Sequence, residues 1–224
     1  MELSDLKGRY SGRLWCVGNG PSLNLLTPEQ KKGITQDATF AGSRYFLWAG
    51  WTPTFYVLTE RKQNQEWLDQ ALHGKARASG SRFWVDWQPP PQGWIAVPHP
   101  PNGEAHDVLN YGVSKCLWGK CGEFDGRQHI AHGKVTPLAM VQLGLWMGFS
   151  EFYLIGCEAT NVGEAYDAEK TRNFHAPGIE RQYFARAAGD AKIIDCTPGG
   201  TLAKERGGPL QYRDLDEVLD EVRS

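Results

Sequence analysis

The stretch from Val135 to Gly156 restricts the fold of this chain more than any other. Val135 to Met147 is a run of small and apolar residues of helical length. Gly148 follows at the position where helices end in the left-handed region. Glu151-Phe152-Tyr153-Leu154-Ile155 then reads as a buried strand stopped by Gly156. A helix leading into a buried strand is the alternation of α/β proteins, and the rest of the chain repeats it.

Leu14 to Val17 and Ala38 to Ala41 read as the first two strands, and Arg44 to Ala49 as a short helix. Thr54 to Leu58 is a third strand. Gln63 to Leu72 is a helix whose apolar stripe is Trp67, Leu68, Ala71 and Leu72. Arg82 to Val85 is a fourth strand. A Pro-rich stretch from Gln88 to Pro101 follows, broken by the strand-like Trp94 to Val97, and reads as an ordered loop or sheet edge. Residues 175–188 have helical character, Lys192 to Cys196 is a late strand, and Leu215 to Val222 a charged terminal helix. The pattern predicts a Rossmann-like α/β fold, a mostly parallel sheet with helices on both faces. It is expected as a single domain over residues 1–224, with an irregular insertion at about 88–134.

In such sheets ligands bind beyond the carboxyl ends of the strands. Three loops fall there: residues 18–22, 42–44 and 156–166. The first, Gly18-Asn19-Gly20-Pro21-Ser22, carries the strongest binding signal. A strand running through a Gly-rich turn into a helix aims unpaired N–H groups and a positive dipole end at one point, which suits a phosphate. Gly18 and Gly20 allow close approach, Pro21 is preset for an early turn position, and Ser22 is a natural cap. The same turn is also an ordinary strand-to-helix connection.

Composition narrows the partners. Net charge is -2, with 41% hydrophobic and 22% charged residues, so no global basic field favours tight nonspecific nucleic-acid binding. The local cluster Lys75, Arg77 and Arg82 leaves an anionic acceptor open, nucleic acid included. No apolar run reaches the ~18 residues a membrane span needs, and the N-terminus lacks a signal-peptide pattern. The expected compartment is therefore the cytoplasm, and self-association into a homo-oligomer is compatible with it. Five cysteines, an odd number, argue for reduced thiols over a disulfide framework. Cys116, Cys121, His129 and His132 have zinc-ligand chemistry, but their spacing departs from the usual finger pattern, so no metal is assigned. The nine Trp residues supply core and, at Trp48-Ala49-Gly50-Trp51 and Trp84-Val85-Asp86-Trp87, a candidate platform for an acceptor.

Five segments occur in a telling order: GNGPSL after the first strand, VTPLAMVQLGLWMGFSEFYLIGCE, GEAYD around Tyr166, then His175, and IIDCTPGGTLAKE. Together they resemble the bacterial sialyltransferases that cap lipooligosaccharides. They also resemble a related Rossmann-like superfamily that includes the archaeal 6-hydroxymethyl-dihydropterin diphosphokinases. The resemblance covers about residues 13–60 and 130–206. It implies a glycosyltransferase with a nucleotide-sugar donor of the cytidine-monophosphate type and a glycan or other hydroxyl-bearing acceptor. Asn19 and Ser22 would contact the phosphate, Tyr166 would hydrogen-bond the departing phosphate, and His175 would be the general base. Thr136 falls where that family places a small hydroxyl residue near the donor, although Pro137 stands where the family has glycine. Gly42-Ser43 and Thr59-Glu60 replace the family's usual residues after the second and third strands. Gly156 and Glu158 complete the expected donor site.

The residue chemistry agrees. A tyrosine hydroxyl is a donor at neutral pH, and histidine has the intrinsic pKa of a general base. A packed loop aromatic and an exposed loop imidazole are the ordinary roles of such residues. The one Asp-x-Asp spacing, Asp214-Leu215-Asp216, lies in the charged terminal helix and reads as a solvated face. That favours a monophosphate leaving group, which needs no cation to neutralise it. The alternatives are a diphosphokinase using ATP and magnesium, with Glu158 and Asp167 as acidic ligands, and a nucleotide-binding module without catalysis.

Overall fold

The computed structural model describes residues 1–48, 50–59, 69–85, 89–97, 136–159, 162–165, 167–171 and 177–223. Its strands are β1 (Arg13–Val17), β2 (Ala38–Gly42), β3 (Phe55–Leu58), β4 (Arg82–Val85), β5 (Ile95–Val97), β6 (Glu151–Ile155), β7 (Val162–Glu164), β8 (Asp167–Thr171), β9 (Lys192–Asp195) and β10 (Gln211–Tyr212). Its α-helices are α1 (Pro28–Ile34), α2 (Tyr45–Trp48), α3 (Thr136–Met147), α4 (Pro177–Asp190) and α5 (Leu215–Arg223). Eight strands form one sheet in the order β10-β9-β6-β1-β2-β3-β4-β5, and every pairing in it is parallel. The expected α/β, Rossmann-like sheet is thus present. The Trp94 to Val97 stretch joins it as edge strand β5, where flanking prolines interrupt no central ladder. Strands β7 and β8 form a separate antiparallel hairpin, β7 within the loop expected at 156–166 and β8 just after it. Of the expected helix at Gln63 to Leu72, the described part is helical from Asp69 and ends in a π-type turn at Ala71–Lys75.

Strand period dictates the two cores. On β1, Leu14 and Cys16 face one apolar cluster, and Trp15 and Val17 face the other. Phe152 and Leu154 of β6 join the first, and Tyr153 and Ile155 the second. Every side chain from Leu14 to Val17 is fully buried, as expected of a parallel strand covered on both faces. Helices α3 and α4 supply the first core through Leu138, Val141, Leu143, Phe184 and Ala187. Helices α1, α2 and α5 supply the second through Ile34, Tyr45, Phe46, Leu215 and Val218. Burying each such large side chain is worth about 1.5–3 kcal/mol.

Helix α3 lies unusually close to the sheet. A methyl at Gly144 would fall 2.6 Å from Phe152 Cε1 and 2.7 Å from Leu14 Cδ2. Its C-terminus is closed as expected: Gly148, at φ 107°, donates to the Gly144 and Leu145 carbonyls.

Strands β2 to β5 extend to one side of β1, and β6 lies on its other side. The strand order therefore reverses between β1 and β6. The carboxyl ends of strands at such a reversal are the usual ligand position in open α/β sheets.

Candidate functional site

The loops leaving β1 and β6 are zipped together. Gly18 donates its N–H to the Ile155 carbonyl and Gly20 to the Gly156 carbonyl, both at 2.8 Å. A methyl at Gly18 would lie 2.1 Å from the Gly156 oxygen. Gly156 itself has φ 68° and abuts Leu23. These two glycines allow one loop to lie against the other.

After Gly20 the chain makes a 3-10 turn, Pro21–Leu25, and not the α-helical start the sequence suggests. Pro28 explains the break. Its ring disfavours helical backbone at the preceding residue, and Thr27 is extended (φ -69°, ψ 161°). Thr27 instead caps α1: its hydroxyl accepts from Gln30 N–H, and the Gln30 side chain accepts from Thr27 N–H.

The loop amides have mostly been taken up. Gly18 and Gly20 bond to the β6 loop, Leu23 N–H bonds to the Gly20 carbonyl at 3.2 Å, and Pro21 has no N–H. Ser22 N–H points at a carboxylate: it donates to Glu158 Oε1 at 2.8 Å. The same carboxylate fills the space over Gly20, where a methyl would lie 1.3 Å from Oε2. The space at Gly20 expected for a ligand is taken in this structure by Glu158.

The loops after β2 and β3 converge with the start of α3 in a cluster of hydroxyls. Thr136 Oγ1 lies 2.7 Å from Ser43 Oγ and 3.0 Å from Thr59 Oγ1. All of Ser43 and Thr59 but a few per cent is buried. Ser43 has φ 50°, rare for a residue with a side chain. It is held there by its N–H on the Val57 carbonyl and by Tyr56 Oη donating to its own carbonyl. Gly42 is needed because a methyl would meet the Val57 oxygen at 2.6 Å and Thr136 Cγ2 at 2.7 Å. Asn19 reaches towards this group with Nδ2 3.5 Å from the Gly42 carbonyl. Its buried Oδ1 has no partner among the described residues. The backbone of Asn19 accepts from Ala165 N–H, and Asn24 Nδ2 donates to the Ala165 carbonyl. These bonds dock the residue between β7 and β8 onto the first loop.

One residue of this end went unnoticed in the sequence, where it passes as the end of an apolar strand. Asp195, the last residue of β9, has no solvent exposure. Its Oδ1 accepts from Thr197 N–H at 2.9 Å, and Oδ2 has no partner among the described residues. Burial pushes its carboxyl up to about 6. The following turn clamps the β6 loop: Thr197 Oγ1 accepts from Cys157 N–H, and Thr201 N–H donates to the Glu158 carbonyl. A carboxylate ending an apolar strand was the available signal. Cys16, Cys157 and Cys196 are free and buried, and burial raises all three thiols.

The structure brings together Gly18, Asn19, Gly20, Pro21, Ser22, Gly156 and Glu158 on one side, and Gly42, Ser43, Thr59 and Thr136 on the other. Tyr166, His175, Cys116, Cys121, His129, His132 and Trp87 lie outside the described residues. So does most of the expected insertion at about 88–134. The described Trp residues are packed: Trp48 folds over Gly50, Lys31 lies 5.3 Å from its ring, and Trp84 packs on Trp94. Of the basic cluster, Arg82 lies over Trp94, and Lys75 and Arg77 bond to Gln70 and the Gly74 carbonyl. Asp214 caps α5 by accepting from Asp216 N–H. Among the described residues, no three His, Cys, Asp or Glu side chains come together as metal ligands, and no helix is long and apolar enough to cross a membrane.

The fold is similar to a MAf glycosyltransferase from Magnetospirillum magneticum AMB-1, with a TM-score of 0.56 and 15% sequence identity. The match covers 94% of this chain and 36% of that one, so the chain spans about a third of that protein's length. No family model and no curated protein matches the chain. At this identity the likeness carries the fold alone.

Proposed function

We propose that this chain is a glycosyltransferase that takes a nucleotide-activated sugar, of the cytidine-monophosphate type, and passes the sugar to an acceptor hydroxyl. The carrying observation is the crevice at the strand-order reversal. There the β1 and β6 loops meet, and a partly buried hydroxyl cluster at Thr136 stands on the β2 and β3 side. The sheet shared with a glycosyltransferase supports the same reading.

In this reading the donor lies between Gly18–Ser22 and the Ser43–Thr59–Thr136 hydroxyls. The Ser22 N–H and the hydroxyls there stabilise the phosphate as its charge grows. Tyr166 gives a hydrogen bond to the departing phosphate, and His175 removes the proton of the acceptor hydroxyl. Both roles come from the resemblance to sialyltransferases, and so does the monophosphate donor.

A thermal-shift series with CMP, UDP, GDP, ADP and ATP, with and without magnesium, tests the reading. Stabilisation by CMP without magnesium is the expected result. Magnesium-dependent release of AMP from ATP would replace it with the diphosphokinase. Nucleotide binding without turnover of any donor would leave a binding module.

A further inference from the structure

We propose that Glu158 is an internal occupant of the donor-phosphate seat, and that an anionic ligand enters only as this carboxylate swings out. The inference rests on reading the crevice as a nucleotide site and adds a built-in restraint to it.

Glu158 Oε1 takes the Ser22 N–H, the one amide among Gly18, Gly20, Ser22 and Leu23 that no backbone carbonyl holds. Oε2 covers the open face of Gly20, so the space a phosphate would use is filled. An incoming phosphate and a seated carboxylate would be like charges on one donor, which disfavours joint occupancy. The seat is also incompletely satisfied by Glu158. Ser22 is 4% exposed, yet its buried hydroxyl has no partner among the described residues, and neither has Asn19 Oδ1. Buried polar groups are rarely left so, and this loop stays incompletely paired with Glu158 seated.

The backbone around Glu158 is fixed. Cys157 N–H is held by Thr197 Oγ1, and the Glu158 carbonyl by Thr201 N–H at 2.9 Å. Ala159 is locked at φ 51°. Vacating the seat is therefore a rotation of one side chain, with the loop left in place. The apparent affinity for an anion is then the intrinsic one multiplied by the fraction of molecules with Glu158 out.

Calorimetric titration of the full chain with CMP and with inorganic pyrophosphate tests this, in the wild type, Glu158→Gln and Glu158→Ala. Glu158→Ala should bind both at least about tenfold more tightly, as expected if Glu158 is seated in nine molecules of ten. Glu158→Gln should gain less, because its amide oxygen still accepts from Ser22. Equal or weaker binding by Glu158→Ala overturns the proposal, while CMP binding by the wild type would still support the nucleotide reading. Tighter pyrophosphate without any nucleotide binding upholds the occupant and removes the nucleotide reading. No binding of either anion by any variant overturns both. Gly20→Ala gives a ligand-free check, since its methyl collides with seated Glu158. It should lower the melting midpoint in the wild type and much less in a Glu158→Ala background. An equal drop in both backgrounds overturns the seating.

Discussion

Asp195 shows how one buried carboxyl shapes this end of the molecule. Its pKa is raised from 3.8 to about 6, chiefly because burial removes water from the charged form. A raised folded-state pKa means the native state holds the proton longer than the unfolded chain. The associated stability is full below about pH 4 and is lost as pH rises through about 6. Asp195→Asn keeps an oxygen for the Thr197 N–H and removes the charge. The variant should be more stable than the wild type at about pH 8, on the order of 2–3 kcal/mol, and the gap should close near pH 4. Urea unfolding at the two pH values measures it, and a gap that ignores pH would contradict the assignment. His175 belongs to the same scale. As general base, His175→Ala should lower turnover roughly 10²–10⁴-fold with little change in CMP affinity, since the base acts on the acceptor. Tyr166→Phe should lose less turnover and modestly weaken donor binding. Steady-state rates beside calorimetry separate the two, and wild-type turnover in His175→Ala would remove the base assignment.

At the scale of elements, the junction of the β1 and β6 loops is the least tolerant point. Gly18→Ala would drive a methyl to 2.1 Å from the Gly156 oxygen, which already accepts from the Gly20 N–H. A destabilisation of about 1–3 kcal/mol is expected, read as a lower denaturation midpoint. The Thr136 hydroxyl ties α3 to the ends of β2 and β3. Thr136→Val keeps the volume but leaves the Ser43 and Thr59 hydroxyls short of a partner, at a cost of about 1–3 kcal/mol in the same assay. An unchanged midpoint would show that the three hydroxyls do not depend on one another. Elements with apolar patterns were legible: β1, β2, β3, β4 and β6 stand within a residue of where their sequences place them. The hairpin was not. Val162-Gly163-Glu164 and Asp167-Ala168-Glu169-Lys170-Thr171 show no apolar alternation in sequence to betray a strand, and among the described residues they pair with each other. The helix expected after Ser22 gave way to a 3-10 turn because Pro28 acts six residues downstream.

At the scale of the whole molecule, the position of β1 matters most. It is the first strand in the chain and lies inside the sheet between β2 and β6, so the loops of the earliest and a late segment share one crevice. A ligand there touches both halves and should stabilise them together. Saturating CMP at about a hundred times its dissociation constant should add about 2.7 kcal/mol to unfolding. A nucleotide that binds yet leaves the unfolding free energy unchanged would bind the unfolded chain equally well, and the crevice would lose its claim.

The sequence alone determined the alternation of elements, the parallel sheet and the glycines at the strand ends, because these follow from local periodicity and backbone sterics. It also named residues that the fold brings to one end of the sheet, since a parallel sheet gathers the loops at its carboxyl edge. Only the tertiary structure decided what occupies the space those glycines leave. Ser22 and Glu158 are 136 residues apart, and no local pattern links them. Their contact exists because β1 and β6 pair in register, Val17 beside Ile155, which carries the two loops to the same point. The hidden charge at Asp195 has the same origin: its burial comes from the turn packed over β9, which joins the end of one strand to the loop of another.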